Sequence, residues 1–285
     1  MRRLRARRLT GPCAEHGEGP VWHPGWPGVR WVDMLAGDVL TLMPDGRVHR
    51  AHVGTVAAAL RPRRGGGAVL ALERGFALAD DELTEVRELG ELWTDPRIRM
   101  NEGGCDPDGR FYCGSMAYDE TPGAGDLHRL DRSGRSEVVV SGVTISNGLA
   151  WSPDGSTAYY ADTPTQRVDA FTYRGGELVD RRPVVRVPPE AGAPDGLTVD
   201  AEGCLWVALW GGAAVRRYAP DGEPMAVVEL PVPRVTACTF GGPALADLFV
   251  TTSRQATDVR RYPAAGALFV VRDAGRGLPV LPCAL

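Results

Sequence analysis

The sequence is short of several things, and each shortage closes off a class of protein. No apolar run approaches the roughly 18 residues that a membrane span requires, so no membrane partner is expected. The basic start, Met1 to Leu9, runs into Thr10-Gly11-Pro12 where a secretory leader needs an apolar core, which points to a cytoplasmic protein. With 32 basic and 36 acidic residues interspersed, the net charge is only −4, and no field for nucleic acid exists. The six cysteines (Cys13, Cys105, Cys113, Cys204, Cys238 and Cys283) show no C-x-x-C and no framework spacing, and read as reduced core residues. No G-x-S-x-G elbow supports Ser-His-Asp chemistry, and Gly65-Gly66-Gly67 lacks the Lys-Ser/Thr of a phosphate loop and reads as a hairpin.

What is abundant is punctuation. The 36 glycines and 23 prolines stand singly between short apolar runs, a distribution that suits many tight turns joining short strands and hence an all-β protein. One cassette recurs. In Ser146-Asn147-Gly148-Leu149-Ala150-Trp151 followed by Pro153-Asp154-Gly155 and Thr157 to Asp162, a polar residue and a glycine open a buried strand, a turn follows, and a second strand returns. Related stretches begin at Glu18, Asn101, Asp195 and Thr236. The spacing is 46 residues from Asn101 to Asn147, 48 from Asn147 to Asp195 and 41 from Asp195 to Thr236. That is the period of a four-stranded propeller blade, and six units fit, so residues 1–285 are expected to form a single six-bladed β-propeller with four antiparallel strands per blade.

Register sharpens the period. Glu18, Asn101, Asn147 and Asp195 each precede their turn by seven positions, so all four hold the same place in their blades. The first strand of a blade lines the central channel, and equivalent positions on it meet around the axis. An isolated Asn-Gly or Asp-Gly pair is ordinary turn chemistry. Here each pair opens an apolar strand whose own turn comes later, and glutamate at position 18 has no special turn role. Glu18, Asn147 and Asp195 together offer two carboxylates and an amide, hard oxygen donors suited to one divalent cation such as calcium, magnesium or manganese. A metal-free, glycosidase-like carboxylate pair is the competing reading; an amide is a poor acid or base but a reasonable ligand. His16 shares Glu18's side of the strand and reads as solvent-facing rim. The tryptophans Trp22, Trp151 and Trp206 read as blade packing.

These residues also carry a resemblance. Gly17-Glu18-Gly19-Pro20-Val21-Trp22, Arg99-x-Asn101-x-Gly103 with Asp106-Pro107-x-Gly109-Arg110-Phe111, Ser146-Asn147-Gly148-Leu149, Pro194-Asp195-Gly196 and Cys238-Thr239-Phe240-Gly241-Gly242-Pro243 together look like the SMP-30/gluconolactonase family, which includes regucalcin and bacterial sugar lactonases. The resemblance implies a six-bladed propeller with one divalent ion (calcium, zinc, manganese, magnesium or iron) on Glu18, Asn147 and Asp195. It implies metal-dependent hydrolysis of a small-molecule sugar lactone such as gluconolactone, arabinonolactone or xylonolactone, with Asp195 taking the proton of the attacking water. By the same resemblance Arg99 and Asn101 would contact substrate oxygens, and Asp119 stands where relatives often carry a substrate-binding glutamate. Two departures touch this shell: Glu102 replaces the usual aspartate of an Asn-Asp-Gly motif, and Tyr118-Asp119 replaces a more acidic pair. The alternatives are a metal-binding scaffold without catalysis, and an esterase acting on other lactones or organophosphates.

Overall fold

The computed structural model describes all of residues 1–285. Its regular structure is β throughout apart from three short 3-10 turns, and no helix is long and apolar enough to cross a membrane. Six sheets form a six-bladed β-propeller. Blade 1 holds strands Gly17–Val21, Arg30–Asp33, Asp38–Leu42 and Val48–His52, and blade 2 holds Ala57–Pro62, Ala68–Leu72, Gly75–Ala79 and Val86–Glu91. Blade 3 is built from Ile98–Cys105, Phe111–Ala117, Gly125–Leu130 and Ser136–Val143, and blade 4 from Ser146–Trp151, Thr157–Asp162, Arg167–Arg174 and Glu177–Arg186. Blade 5 contains Ala193–Val199, Leu205–Trp210, Ala214–Tyr218 and Pro224–Glu229. Blade 6 takes only three strands from its own stretch of chain, Val235–Gly241, Asp247–Thr252 and Phe269–Val271.

Its fourth strand comes from the other end of the sequence. Arg7–Arg8 pairs antiparallel with Phe269–Val271 and closes the ring, helped by Leu9 N–H donating to Leu268 O at 2.8 Å. Just before it, Arg2–Arg5 adds a fifth strand to blade 5, parallel to Pro224–Glu229. Leu4 and Ala6 lie against the core between blades 5 and 6 while Arg3, Arg5 and Arg7 face solvent, an alternation of period two. Charged side chains along such an outermost edge also discourage pairing with another chain. A second tie comes from residues 277–284. They leave blade 6, cross the lower end of the channel, and fasten to blades 2 and 3 through Cys283 N–H on Pro62 O and Ala284 N–H on Gly109 O, both 2.8 Å.

Burial explains why the strands differ in composition. Innermost strands are wedged between neighbours and covered on both faces, so Ala57–Pro62 and Ala193–Val199 are buried almost throughout; outermost strands such as Val48–His52 and Val86–Glu91 are mostly exposed and polar. The interblade layers hold side chains such as Leu60, Leu70, Phe111, Trp31 and Trp206, all essentially inaccessible. Truncating one of them, Leu60 for instance, would cost about 2–5 kcal/mol. All six cysteines are free, and five of them are buried.

Candidate active site at the upper end of the channel

Every innermost strand breaks register with its partner at the same place. The shifts fall between Glu18 and Val21, Ala57 and Ala59, Met100 and Gly103, Ser146 and Leu149, Pro194 and Leu197, and Val235 and Cys238. A bulge sets two residues against one and re-aims a side chain. Ala58, Asn101, Asn147, Asp195 and Thr236 are the first unpaired residues of five bulges, and Glu18, still paired with Val32, stands at the edge of the sixth; together they form a ring of positions. Gly148 and Gly196 have negative or extended φ and are glycines for space. A Cβ on Gly148 would come within 2.8 Å of Asp195 O, and one on Gly196 within 2.9 Å of Thr236 O, so the inner strands of blades 4, 5 and 6 touch backbone to side-chain position at this level.

The six positions divide by what their side chains do. Ala58 offers nothing polar. Thr236 donates to Gly17 O at 2.6 Å, tying blade 6 to blade 1, and Asn101 donates to Ser146 O at 2.8 Å, tying blade 3 to blade 4. Glu18, Asn147 and Asp195 are each at least nine-tenths buried, and Asn147 Oδ1 and Asp195 Oδ1 have no partner in the protein. The orientation of Asn147 is set from behind. Thr163 Oγ1 gives its proton to Pro194 O at 2.8 Å and so must accept from Asn147 Nδ2, also at 2.8 Å, which leaves the amide oxygen facing the channel. Thr163 carries no motif of its own and could not have been found from sequence.

The electrostatics of this cluster are unbalanced. Burial pushes the Asp195 carboxyl well above its ordinary range, and the nearby charges of Glu18 and Glu102 push it further, against the Gly196 N–H and the Asn147 side chain. Glu18 is raised by burial and by Glu102; the Gly19 N–H, which donates to its Oε2 at 3.0 Å, and Arg99 act the other way. Glu102 is raised to about 7 by burial despite Arg61, and its Oε2 is a third orphaned atom. Three buried carboxyls, with only Arg99 and Arg61 against them and two of their oxygens unpartnered, form an environment that lacks positive charge. A hard divalent cation is the group that would supply it, and an all-oxygen donor set with an oriented amide fits such an ion.

A second acidic cluster, Asp200, Glu202 and Cys204, also brings three ligand-type atoms within 4.8 Å of one another. It is already satisfied. Asp200 accepts from Trp206 Nε1 and Arg217 Nε at 2.8 Å and from the Glu202 and Cys204 N–H groups at 3.0 Å, and Glu202 pairs with Arg217. Arg217 neutralises this turn, so it asks for no ion.

Arg99 lies on the upper side of the ring. It is buried, donates through Nη1 to Asn101 Oδ1 at 2.7 Å and Met100 O at 3.0 Å, and attracts Glu18. Asn101 is thus engaged at both ends of its amide and acts on Arg99. Asp119 is placed differently from Arg99: its carboxylate is exposed and accepts from Thr121 N–H and Thr121 Oγ1 at 3.1 and 2.7 Å. The residue that turns inward there is Tyr118, whose ring covers the Arg99 guanidinium at 5.6 Å and whose hydroxyl donates to Glu73 Oε1 at 2.7 Å. His16 is not at the solvent rim that its position suggests. It is buried against Trp210, bonded through Nδ1 to Ser253 Oγ at 2.8 Å across the ring closure, and held down to about 3 by burial and Arg99, so it stays neutral.

A cavity of about 470 Å³ lies below the ring. Leu149, Leu197 and Cys238, each two residues past a bulge, line it together with Trp151 and the crossing segment Leu278 to Pro282. Its walls are largely apolar and its outer end is covered, whereas the strand ends that carry Arg99 and Tyr118 face the opposite way. Glu102 and Arg61 also contribute to its lining.

Residues 16–254 match the family model described as SMP-30/Gluconolactonase/LRE-like region. The chain is 35% identical over 284 residues to the pentonolactonase XacC of Haloferax volcanii, covering 95% of this chain and 96% of that one. It is 35% identical over 279 residues to regucalcin of Danio rerio, with 93% of both covered. The crystal structure of a calcium-binding protein, regucalcin from Agrobacterium tumefaciens, superposes with a TM-score of 0.91 at 28% identity over 98% of each chain.

Proposed function

This chain belongs to the SMP-30/gluconolactonase family, and from that premise we propose that it hydrolyses a sugar lactone to the aldonic acid at the ring of Glu18, Asn147 and Asp195, with a divalent cation held there. The observation that carries the reading is the pair of buried, mutually repelling carboxylates beside an amide oxygen that has no protein partner. A bound cation would supply Lewis acidity toward the lactone carbonyl and stabilise the charge that develops on its oxygen.

The remaining work falls to side chains. Arg99, fixed by Asn101 and always charged, holds substrate oxygens at the upper side of the ring and then the product carboxylate. Asp195 takes a proton from the water that attacks the carbonyl carbon and returns it to the ring oxygen as the C–O bond breaks. The product is the open-chain hydroxy acid, which at neutral pH releases one proton. Asp119, where relatives often carry a substrate-binding glutamate, would reach the substrate only if its carboxylate left Thr121.

The test is proton release from gluconolactone, arabinonolactone and xylonolactone, after chelation and after add-back of calcium, zinc, manganese, magnesium or iron. Hydrolysis that chelation abolishes and one of the ions restores supports the reading. Ion binding without turnover of any lactone would mark a scaffold, and chelator-insensitive turnover would remove the metal from the mechanism.

A further inference from the structure

We propose that Glu73, presented through Tyr118, is the carboxylate that reads the hydroxyl groups of the substrate ring, making this rim selective for polyhydroxylated over bare lactones; the proposal rests on the lactonase reading above. The two residues come from different blades and meet over Arg99. Glu73 opens the hairpin turn between the second and third strands of blade 2, and its carbonyl accepts from Met100 N–H at 2.8 Å, which binds it to the strand that carries Arg99. Tyr118 follows the second strand of blade 3, and its N–H donates to Arg97 O at 2.8 Å, on the same segment. Both are therefore hinged on the residues flanking Arg99.

Their side chains close the triangle. The Tyr118 ring lies 5.6 Å from the Arg99 guanidinium carbon, and the Tyr118 hydroxyl donates to Glu73 Oε1 at 2.7 Å. Arg74 Nη1 stands 3.4 Å from Glu73 Oε2 and holds the carboxylate from the other side. The Glu73 side chain is about one-fifth exposed and Tyr118 nearly half exposed, so both face the mouth with surface to spare. An ionised carboxylate only accepts and has more lone pairs than Tyr118 and Arg74 fill; sugar hydroxyls are the donors that a polyol substrate brings. The open tyrosine face gives the C–H side of a sugar ring an apolar surface. Asp119 spends its carboxylate on Thr121.

Two lactones of equal ring size separate the possibilities: glucono-δ-lactone, which carries hydroxyls, and δ-valerolactone, which does not. A site built around substrate hydroxyls loses discrimination when its acceptor is removed. Glu73→Gln is expected to lower the ratio of kcat/KM for the hydroxylated over the bare lactone about tenfold, mainly through KM, and Tyr118→Phe to lower it by a smaller factor because the ring over Arg99 remains. Equal losses on both lactones, or a loss in Asp119→Asn with none in Glu73→Gln, would overturn the proposal. Glucitol binding measured by calorimetry reads the rim without catalysis. If wild-type protein turns over neither lactone, the lactonase reading fails, while weaker glucitol binding in Glu73→Gln still upholds this rim and unchanged binding refutes it.

Discussion

Asp195 and Asp200 stand five residues apart, one near the start of an innermost strand and the other just past its end, both buried, and almost everything else about them differs. Asp200 is surrounded by donors: an indole N–H, two backbone N–H groups and Arg217. Asp195 has one oxygen without a partner and two other carboxyls for company. A buried carboxylate with every lone pair filled is a structural device that locks a turn to the strands behind it. One left short of positive charge is retained at a cost, and the cost is understandable if an ion from solution completes it. Proximity of acidic residues does not distinguish the two clusters; their hydrogen-bond accounts do.

The sharpest way to break the comparison is to neutralise each aspartate in turn. Asp195→Asn should lower lactone hydrolysis by at least about 100-fold, as the loss of a general base requires. In the absence of metal its thermal midpoint should stay level or rise, because a repelled buried charge is gone; near-normal turnover would contradict the role. Asp200→Ala should do the opposite. It leaves the Trp206 N–H without its acceptor and Arg217 with Glu202 alone, and should cost about 1–3 kcal/mol in urea unfolding, while turnover per folded molecule persists. A smaller effect is expected from Thr163→Val, which removes the anchor of the Asn147 amide. Metal affinity should fall about tenfold by titration calorimetry with manganese, and an unchanged affinity would show that Asn147 needs no orientation from behind.

The smallest effect is one of pH. Glu18 and Asp195 have folded-state pKa values raised above those of the unfolded chain. Their contribution to the stability of the metal-free protein is therefore present at low pH and is lost as pH rises through the raised values. A cation that replaces the protons removes this loss, so the gain in thermal midpoint from saturating manganese should be larger at pH 8 than at pH 5. Equal gains at both values would place the ion elsewhere.

The propeller was legible because its signal is repetition. A polar residue, a glycine, a buried strand and a turn recur at blade spacing, and register alone brings Glu18, Asn147 and Asp195 to one level. Ring closure was not legible. Arg7–Arg8 and Arg2–Arg5 are strands only because blades 6 and 5 have free edges, and an exposed strand of alternating arginines has no hydrophobic signature of its own. Thr163, Glu73 and the direction of Tyr118 were hidden for another reason. They act through loops at the upper end of the blades, where a side chain's neighbours depend on how two blades meet and not on any local pattern. His16 shows the same limit, since its hydrogen-bond partner, Ser253, lies across the closure.

The most direct test is the number of ions bound per chain, measured by metal analysis and titration for wild type, Asp195→Asn and Asp200→Asn after chelation and reloading. The account predicts one tightly bound divalent ion in wild type and in folded Asp200→Asn, and none retained in Asp195→Asn. An ion lost with Asp200 and kept without Asp195 would contradict it.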